Sequence, residues 1–552
     1  MIDYSKYGIT FQPFINKLDK HYADEPSQFY IDMKERPYMV LIGIVGMAFK
    51  SADELIQTRH YAAPDSRERC LYAVYHILAT NEAYGNTRMK DSELARQVNN
   101  LCPEAMGHIV DIVKNDGGIY YEPASHWVSK RGTYNAEVNI AEHIKHRLAN
   151  PVKLDVNVNK YRHNGDFELT DEQIAALQMV ADNSVCMVNG AAGSGKTQTT
   201  NAILDMLDDA HKSYVCLAPT GIASKMLRHY TGRPASTIHM FLTGPYSPDY
   251  LILDETSICG VHLLSMLFTA IGHRPNLIFI GDSAQLASIS CGSIIRDIIE
   301  SEAVPRVILS KIFRYNTSGI VTIATDVRNG DSTNLIKQFD DYQFIPTSDD
   351  PIGQTVSIYD DLMQQGYSKD DILMLCPFNK HVGADEINRR ISNKYNLSPK
   401  VRKNSDIKLN DRVINIKNSY GPTDEDFVAN GDIGWLKGKR YDRADRANHF
   451  LVDFENGRHE VKSLANLKLA YCISIHKSQG SSSKIVVVLI DKSHDFMVNK
   501  NLLYTAITRA RDGLIIVGDL DTIKQGLSIA SNEIRDTWLK ELLTTTHNSA
   551  TM

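Results

Sequence analysis

Residues 189–197 read Asn-Gly-Ala-Ala-Gly-Ser-Gly-Lys-Thr. From Gly190 to Thr197 this run matches the pattern G-x-x-x-x-G-K-[ST], in which a glycine-rich loop wraps around phosphate groups between a strand and a helix. An apolar segment at 185–188 precedes the run, and a segment with helical periodicity at 199–207 follows it. Both flanks are those that the pattern requires, so the sequence predicts a P-loop in an α/β domain.

The loop supplies the chemical groups that a nucleoside triphosphate needs. Glycines at 190, 193 and 195 let the backbone curl so that its N–H groups point at phosphate oxygens. Lys196 is placed to reach the β and γ phosphates, and the hydroxyl of Thr197 is placed to bind Mg²⁺. We therefore predict ATP and Mg²⁺ as the ligands of this loop.

An acidic pair, Asp254 and Glu255, ends a later apolar strand. A lone pair of this kind is usually a solvated strand end, but on a later strand of a P-loop domain it favours catalysis. Asp254 would hold Mg²⁺ through water, and Glu255 would take the proton from the attacking water. The developing γ-phosphate charge needs more cations than one lysine, and Arg314 and Arg509 are candidates, although a surface position suits each as well.

Composition limits the class of protein. A chain of 552 residues is too long for one hydrophobic core and predicts three or four domains. Its 60 basic and 66 acidic residues give a net charge of −6, so a polyanion would be bound by a local channel. Eight scattered cysteines without a C-x-x-C pair indicate reduced, buried thiols. With neither a leader nor a membrane-length apolar run, we expect a cytoplasmic protein without a membrane partner.

The pattern of apolar segments predicts the domain organisation. Residues 1–150 are mostly helical in periodicity, and a domain boundary precedes a helix capped by Thr170. Residues 151–335 alternate helices with buried strands, as in a parallel sheet covered on both faces. A second region of this kind comprises 336–400 and 465–552. The predicted strands are 185–188, 214–218, 250–253, 277–280 and 306–309 in the first region, and 372–375 and 485–489 in the second.

Between the two halves of the second region, residues 401–464 change character. Short strands are predicted at 413–416, 433–437 and 450–454, with a tight hairpin turn at Asn456-Gly457. The segment is interpreted as a small β-barrel inserted into the second α/β domain.

Ten segments in chain order carry a family resemblance. They are LTDEQ at 169–173, GAAGSGKT at 190–197, LAPTG at 217–221, STIH at 236–239, DETS at 254–257, GDSAQL at 281–286, IFR at 312–314, LCPF at 375–378, AYCISIHKSQG at 470–480 and YTAITRA at 504–510. Together they resemble the motifs of superfamily 1 DNA helicases of the RecD/Dda branch. The resemblance implies two tandem RecA-like P-loop domains that bind and hydrolyse ATP in the cleft between them.

The resemblance also implies roles for individual residues. Gln173 would read the adenine, Gln285 would sense the γ-phosphate, and both arginines would reach the nucleotide. The implied catalytic residues are Lys196, Glu255, Gln285, Arg314 and Arg509; the implied nucleotide-binding residues are Gln173, Gly190, Ala191, Ala192, Gly193, Ser194, Gly195, Lys196, Thr197, Gln198 and Gly480; and the implied Mg²⁺ ligands are Thr197 and Asp254.

Single-stranded DNA is the partner that the resemblance implies. The backbone of the strand would be held by Pro219, Thr220 and His239 from the first domain and by Phe378, Ser474 and His476 from the second. For His239 taken alone, a buried or capping role is as compatible as a DNA contact, and the motif decides between them. RNA stays open as a substrate, because such channels grip mainly the backbone.

The flanking regions resemble further parts of the same branch. Residues 410–414 and 430–434 resemble its SH3-like barrel. Lys437, Lys439, Arg440, Arg443 and Arg446 give this barrel a basic stretch suited to phosphates, with a solvated loop as the alternative because Asp442 and Asp445 interrupt it. Residues 37–53 resemble a helix-hairpin-helix region; a purely structural helical domain is the alternative.

One departure from the family pattern bears on function. Relatives carry a β-hairpin pin between the His239 and Asp254 motifs, whereas residues 241–250 leave room only for a short turn.

The first hypothesis is an ATP-dependent DNA helicase that runs 5′ to 3′ and acts on single strands and single-strand/duplex junctions. The second is an ATP-driven translocase or remodeller with weak unwinding. The third is a nucleotide-gated DNA-binding protein, which would not need Glu255, Gln285 and both arginines.

Overall fold

The computed structural model describes residues 2–164, 167–244, 247–312, 319–419, 428–442, 447–454, 457–529 and 534–545. Within these ranges, the chain forms two parallel sheets flanked by helices. A three-stranded antiparallel sheet precedes the first parallel sheet, and a five-stranded antiparallel sheet is inserted into the second. The predicted α/β class is therefore confirmed.

The amino-terminal region is mainly helical, as predicted, but it also contains a three-stranded antiparallel sheet in the order β1-β3-β2. Its helices are α1 (Gln12–His21), α2 (Gln28–Glu35), α3 (Phe49–Thr58), α4 (Arg67–Ala83), α5 (Asp91–Leu101), α6 (Ile109–Asn115) and α7 (Arg131–Ala149), and its strands are β1 (Met89–Lys90), β2 (Ile119–Glu122) and β3 (Trp127–Lys130). The helix-hairpin-helix assignment stays a prediction, because segment 37–53 holds a π-helical turn, Met39–Ile44, before α3.

The last helix of this region belongs to the core that follows it. Ile140 and Ile144 of α7 are fully buried against Val185 and Met187 of the first parallel sheet. The predicted boundary near residue 150 therefore separates chain segments but not hydrophobic cores.

The first parallel sheet follows a two-stranded ribbon, β4 (His163–Asn164) and β5 (Phe167–Glu168), and has the order β11-β6-β10-β9-β7-β8. Its strands are β6 (Val185–Gly190), β7 (Tyr214–Ala218), β8 (Ala235–Thr237), β9 (Tyr250–Leu253), β10 (Asn276–Gly281) and β11 (Arg306–Leu309), and its helices are α8 (Asp171–Asp182), α9 (Lys196–Asp209), α10 (Gly221–Thr231), α11 (Ile238–Phe241), α12 (Val261–Ile271) and α13 (Ile294–Ser301). Thr170 caps α8 as predicted, in a reciprocal capping box with Gln173.

The second parallel sheet has the order β12-β21-β20-β13-β19 and is interrupted by the insert. Before the insert come α14 (Gly319–Asn329), β12 (Tyr342–Pro346), α15 (Pro351–Gln364), β13 (Ile372–Cys376) and α16 (Ala384–Tyr395); the insert holds β14 (Arg412–Asn415), β15 (Ile433–Asp442), β16 (Ala447–Phe454), β17 (Gly457–Val461) and β18 (Leu467–Leu469); and after it come β19 (Cys472–Ser474), β20 (Ser483–Ile490), α17 (Lys500–Ile507), β21 (Ala510–Gly518) and α18 (Leu520–Ser528).

The insert is a five-stranded antiparallel sheet in the order β17-β16-β15-β14-β18. Leu436, Phe450 and Val452 form its fully buried core. Strands β16 and β17 pair with Phe454 opposite Gly457, so Gly457 of the predicted turn belongs to β17, whereas Asn456 lies outside the described residues. The SH3-like assignment stays a prediction.

The carboxyl end of the chain corrects the predicted domain assignment. Residues 534–545, which we call the C-terminal strap, include α19 (Leu539–Thr544) and pack mainly on the amino-terminal region and the first parallel sheet. The indole of Trp538 makes edge contacts with the rings of Tyr120 and Tyr134, at centroid distances of 5.4 and 5.3 Å. The guanidinium of Arg88 donates two hydrogen bonds to Glu541. These partners lie hundreds of residues away along the chain, so local patterns gave no sign of the contact.

Three further sequence expectations have structural outcomes. All eight cysteines are free and buried. In the part of the chain described, no strand lies between α11 and β9, where a pin would be. Among the same residues, no helix is both long and apolar enough to cross a membrane.

Candidate active site between the two parallel sheets

A cavity of about 460 Å³ lies where the two parallel sheets meet. The first sheet places β6, β10 and β9 side by side, so the loops after these strands converge at one edge. Predicted residues from both domains line the cavity: Ala192, Gly193, Gly195, Lys196, Thr197, Gln198, Asp254, Glu255 and Gln285 from the first, and Gly480 and Arg509 from the second.

The P-loop has the backbone geometry of a phosphate cradle. Gly193 and Gly195 have φ angles of +80° and +81°, a left-handed conformation that glycine adopts without strain. Gly195 is the N-cap of α9, so the partly positive end of this helix faces the cavity. At Gly190, a Cβ would lie 2.4 Å from Oγ of Ser194 and 3.0 Å from Cβ of Leu309, so a larger residue would displace these neighbours. Lys196 Nζ donates to the carbonyls of Gly190 and Ala191 at 2.6 and 3.0 Å.

The acidic pair follows β9 directly. Oδ1 of Asp254 accepts a hydrogen bond from the backbone N–H of Glu255 at 2.8 Å. The pKa of Asp254 is raised because burial disfavours its charged form and because the neighbouring Glu255 carboxylate repels a second negative charge. Glu255 itself has a φ of +49°, a left-handed conformation that costs a non-glycine residue about 1–3 kcal/mol. Backbone strain of this kind is concentrated at functional sites, and no sequence pattern reveals it.

The first-domain groups fit ATP and Mg²⁺. Thr197 and Asp254 provide the hydroxyl and carboxylate oxygens that Mg²⁺ prefers. Among the described residues, Oγ of Ser194 and Oε1 of Gln285 are buried polar atoms without a hydrogen-bond partner. Buried polar atoms are nearly always paired, so these two atoms indicate a site built for a polar ligand.

The second domain contributes a buried arginine. Arg509 is 5% exposed, and its Nε and Nη1 donate to the carbonyls of Thr505 and Ser481, both at 3.0 Å. Gly480, with a φ of +78°, brings the backbone of this domain close to Ala223 on α10. The other predicted arginine, Arg314, lies outside the described residues.

Gln173 lies behind the P-loop. The side-chain oxygen Oε1 of Gln173 accepts a hydrogen bond from the backbone N–H of Thr170 at 2.9 Å, and its Nε2 donates to the backbone carbonyl of Gly195 at 3.3 Å. Although it does not line the cavity, it links α8 to the phosphate-binding loop. Its adenine-reading role stays a prediction.

Sequence reasoning missed Tyr504 and Asp282. Asp282 follows β10 and is 1% exposed. The Tyr504 hydroxyl donates to Oδ2 of Asp282 at 2.9 Å and accepts from the backbone N–H of Ala192 at 3.1 Å. Both residues lie within quoted motifs, so the motifs marked the position, but only the fold shows the contact.

The predicted DNA-binding residues of the first domain share one sheet edge. Pro219 and Thr220 follow β7, and His239 follows β8, whose Thr237 pairs with Ala218 of β7. Thr220 also caps α10, because its hydroxyl accepts from the backbone N–H of Ala223 at 3.3 Å. His239 is exposed, so the alternative of a buried side chain is wrong for this residue.

The second domain repeats this arrangement. Ser474 at the end of β19 pairs with Cys376 of β13, and Phe378 follows that strand. The exposed ring of Phe496 packs edge-on against Phe378 at 6.0 Å. His476 lies in the turn after β19, and burial, with Arg535 nearby, lowers its pKa.

The basic stretch of the insert is only partly described. Lys437, Lys439 and Arg440 lie on β15, whereas Arg443 and Arg446 lie outside the described residues. Arg440 donates to the carboxylate of Glu460 at 2.8 Å, so part of its charge is already neutralised. Phosphate binding by this stretch stays a prediction.

Comparison with known proteins gives concordant matches. Residues 168–350 match the AAA domain family, and residues 469–517 match the UvrD-like helicase C-terminal domain family. The ATP-dependent RecD2 DNA helicase of Deinococcus radiodurans is 26% identical over 549 residues, which cover 93% of this chain and 74% of the relative. The ATP-dependent DNA helicase dda of Enterobacteria phage T4 is 32% identical over 165 residues, or 26% of this chain and 37% of that protein.

Among solved structures, Pif1 helicase from Bacteroides in complex with ADP-AlF3 and ssDNA aligns with 65% of this chain and 94% of its own, with a TM-score of 0.43 and 20% identity. The ordered motifs, the two matched families and a relative that aligns with nearly the whole chain agree with one another. The chain is similar over most of its length to helicases of the RecD/Dda-like branch of superfamily 1.

Proposed function

We propose that this protein is an ATP-dependent DNA helicase that moves 5′ to 3′ along single-stranded DNA and opens the duplex ahead of it. One observation carries the proposal: the cavity that holds the P-loop, Glu255 and Gln285 is closed on its other side by Gly480 and Arg509 of the second domain. A nucleotide bound there touches both domains, so binding favours closure and hydrolysis favours reopening.

The residues that line the cavity have different roles in the proposed hydrolysis of ATP. Thr197 and Asp254 would hold Mg²⁺, which supplies positive charge beside the β and γ phosphates. Glu255 accepts the proton of the attacking water, and Gln285, with an unpaired oxygen in the cavity, orients that water. Lys196 and Arg509 stabilise the charge that develops on the γ-phosphate.

Contacts across the domain boundary connect hydrolysis with movement. The loop that carries Gln285 is hydrogen-bonded to the second domain. Thr505 Oγ1 accepts from the N–H of Leu286 at 2.9 Å, and Gln479 Nε2 donates to the Leu286 carbonyl at 3.0 Å. When the cleft closes, the two predicted DNA-binding edges move relative to each other. Repeated cycles therefore advance the protein along a strand. The direction of travel and the choice of DNA are taken from the family resemblance.

The second candidate is an ATP-driven translocase or remodeller that unwinds weakly. It is favoured by the short connection between α11 and β9, which contains no strand in its described residues. A helicase that lacks a pin has to separate strands by other contacts, whereas translocation needs none.

Two labelled duplexes in one reaction with ATP and Mg²⁺ test the proposal, one with a 5′ single-stranded tail and one with a 3′ tail. Selective opening of the 5′-tailed duplex is expected, with no opening by the Lys196→Ala variant. DNA-stimulated ATP hydrolysis without opening would favour the translocase. An ATPase rate that single-stranded DNA does not change would refute both, and a single-stranded RNA competitor would measure the preference for DNA.

A further inference from the structure

Tyr504 joins three elements at the domain boundary. Its side chain extends from α17 of the second domain and is 2% exposed. Its hydroxyl accepts from the N–H of Ala192, at the apex of the P-loop, and donates to the carboxylate of Asp282 after β10. A single oxygen atom thus connects the second domain to two loops of the first.

The neighbours of Tyr504 hold the second of these loops. Thr505 and Gln479 bind the backbone of Leu286, and Asn501 Nδ2 donates to the carbonyl of Gln285 at 3.3 Å. Asp282 also stabilises this loop from within, because its Oδ1 accepts from the N–H of Ala284 at 3.0 Å. Tyr504 extends the same set of contacts to the P-loop. The positions of Ala192 and Gln285 relative to each other therefore depend on the second domain.

We propose that Tyr504 is a positioning residue that makes ATP hydrolysis depend on contact between the two domains. This inference rests on the proposed function. When the domains are in contact, the hydroxyl fixes the P-loop relative to the Asp282–Gln285 loop. Gln285 is then held in the position relative to the γ-phosphate that hydrolysis requires. When they separate, both hydrogen bonds break and this alignment is lost, although Lys196 and the loop glycines can still bind a nucleotide.

The Tyr504 hydroxyl matters because its removal would cost both of the hydrogen bonds that it makes. In a buried interface, the Ala192 N–H and the Asp282 carboxylate would each lose a partner, and hydrogen bonds to charged groups are the stronger kind. A phenylalanine ring fills the same space without replacing either bond. The alternative is that Tyr504 only fills the core, and the ring preserved in Tyr504→Phe separates these two roles.

The test compares Tyr504→Phe with Tyr342→Phe. Tyr342 is also buried in the second domain, where its hydroxyl donates to the carbonyl of Leu335 at 2.5 Å, and it does not line the cavity. In Tyr504→Phe, the kcat of DNA-stimulated hydrolysis is expected to fall about 10- to 100-fold, whereas the KM for ATP and the affinity for a fluorescent ATP analogue change less than about 2-fold. Tyr342→Phe should retain the wild-type kcat.

A double-mutant cycle with Asp282→Asn adds a second readout. If the hydroxyl acts through Asp282, the double variant should be no slower than the slower single variant, because the two changes remove one shared contact. Wild-type kcat in Tyr504→Phe would overturn the inference. It would also be overturned if Tyr504→Phe and Tyr342→Phe lost kcat and thermal stability equally. If the wild-type protein showed no DNA-stimulated ATPase, the proposed function itself would fail.

Discussion

We predict that two buried carboxyl groups beneath the C-terminal strap make the stability of the protein depend on pH. Glu137 of α7 accepts from the backbone N–H groups of Trp538 and Leu539 at 3.2 and 3.3 Å, and Asp297 of α13 accepts from the hydroxyl of Thr537 at 2.9 Å. Burial, reinforced by the charge of Asp297, raises the pKa of Glu137 to about 8. Burial raises the pKa of Asp297 to about 7 against the opposing charge of Arg296, with Glu300 adding to the rise.

The direction and size of the effect follow from proton linkage. The ordinary pKa values of these groups are 4.5 and 3.8, so at pH 6 the unfolded chain has released both protons while the folded protein still holds them. The free energy of unfolding therefore falls as the pH rises through the folded pKa values. Between pH 6 and pH 9, linkage gives a loss of about 3 kcal/mol from Glu137 and about 1 kcal/mol from Asp297.

Thermal unfolding of the wild type and of Glu137→Gln at pH 6, 7, 8 and 9 measures this effect. Glutamine keeps the size of the side chain and removes its titration, so we expect the loss of unfolding free energy between pH 6 and pH 9 to be smaller by about 3 kcal/mol. The control is Glu93→Gln, which removes a carboxylate that accepts from Arg96 at 2.6 Å and leaves the junction intact; this hydrogen bond lowers the pKa of Glu93 to about 2, so Glu93 does not titrate between pH 6 and pH 9. That variant should keep most of the decline. Identical pH dependence in the wild type and Glu137→Gln would show that Glu137 does not bind a proton in the folded state.

Three further predictions concern single residues. Lys196→Ala should abolish ATP hydrolysis, because the γ-phosphate loses its cation, while binding of single-stranded DNA in a gel-shift assay persists; normal hydrolysis would refute the P-loop assignment. Glu255→Gln should bind ATP and stall before hydrolysis, so loss of nucleotide binding in an equilibrium titration would count against its role as base. Trp538→Ala should lower the free energy of unfolding by about 3–5 kcal/mol in denaturant titrations, because the cavity left beside Tyr120 and Tyr134 cannot close fully.

Local pattern was sufficient for the strands that build the first sheet. The predicted segments 214–218, 250–253 and 306–309 coincide with β7, β9 and β11, because each contains an unbroken run of at least three apolar residues. Strand β8 (Ala235–Thr237) was missed because three residues carry too little periodicity, and β21 (Ala510–Gly518) because it begins with the polar sequence Arg511-Asp512-Gly513. In both, pairing with a neighbouring strand decides the conformation.

The chemical identities of the site were also predictable, whereas its long-range contacts were not. A glycine-rich loop has to fold locally, so its phosphate-binding groups can be inferred from nine adjacent residues. Tyr504 and Ala192 are 312 residues apart in sequence, and Trp538 and Ser129 are 409 residues apart. No local propensity specifies such pairs, since they exist only after both domains have folded and met.

The C-terminal strap also limits how far the ATP cleft can open. Helix α18 ends at Ser528 in the second domain, whereas Arg535 is held by the first, where its guanidinium donates to the carbonyls of Gly292 and Ser288 at 2.8 and 2.6 Å. Five Cα steps separate Ile529 from Ile534, and a fully extended chain covers at most about 18 Å over that distance. While Glu137 and Asp297 keep the strap docked, the two domains can separate only within this length. In the proposed cycle of ATP binding and hydrolysis, the contacts of Tyr504 would therefore break and form again without the domains drifting apart.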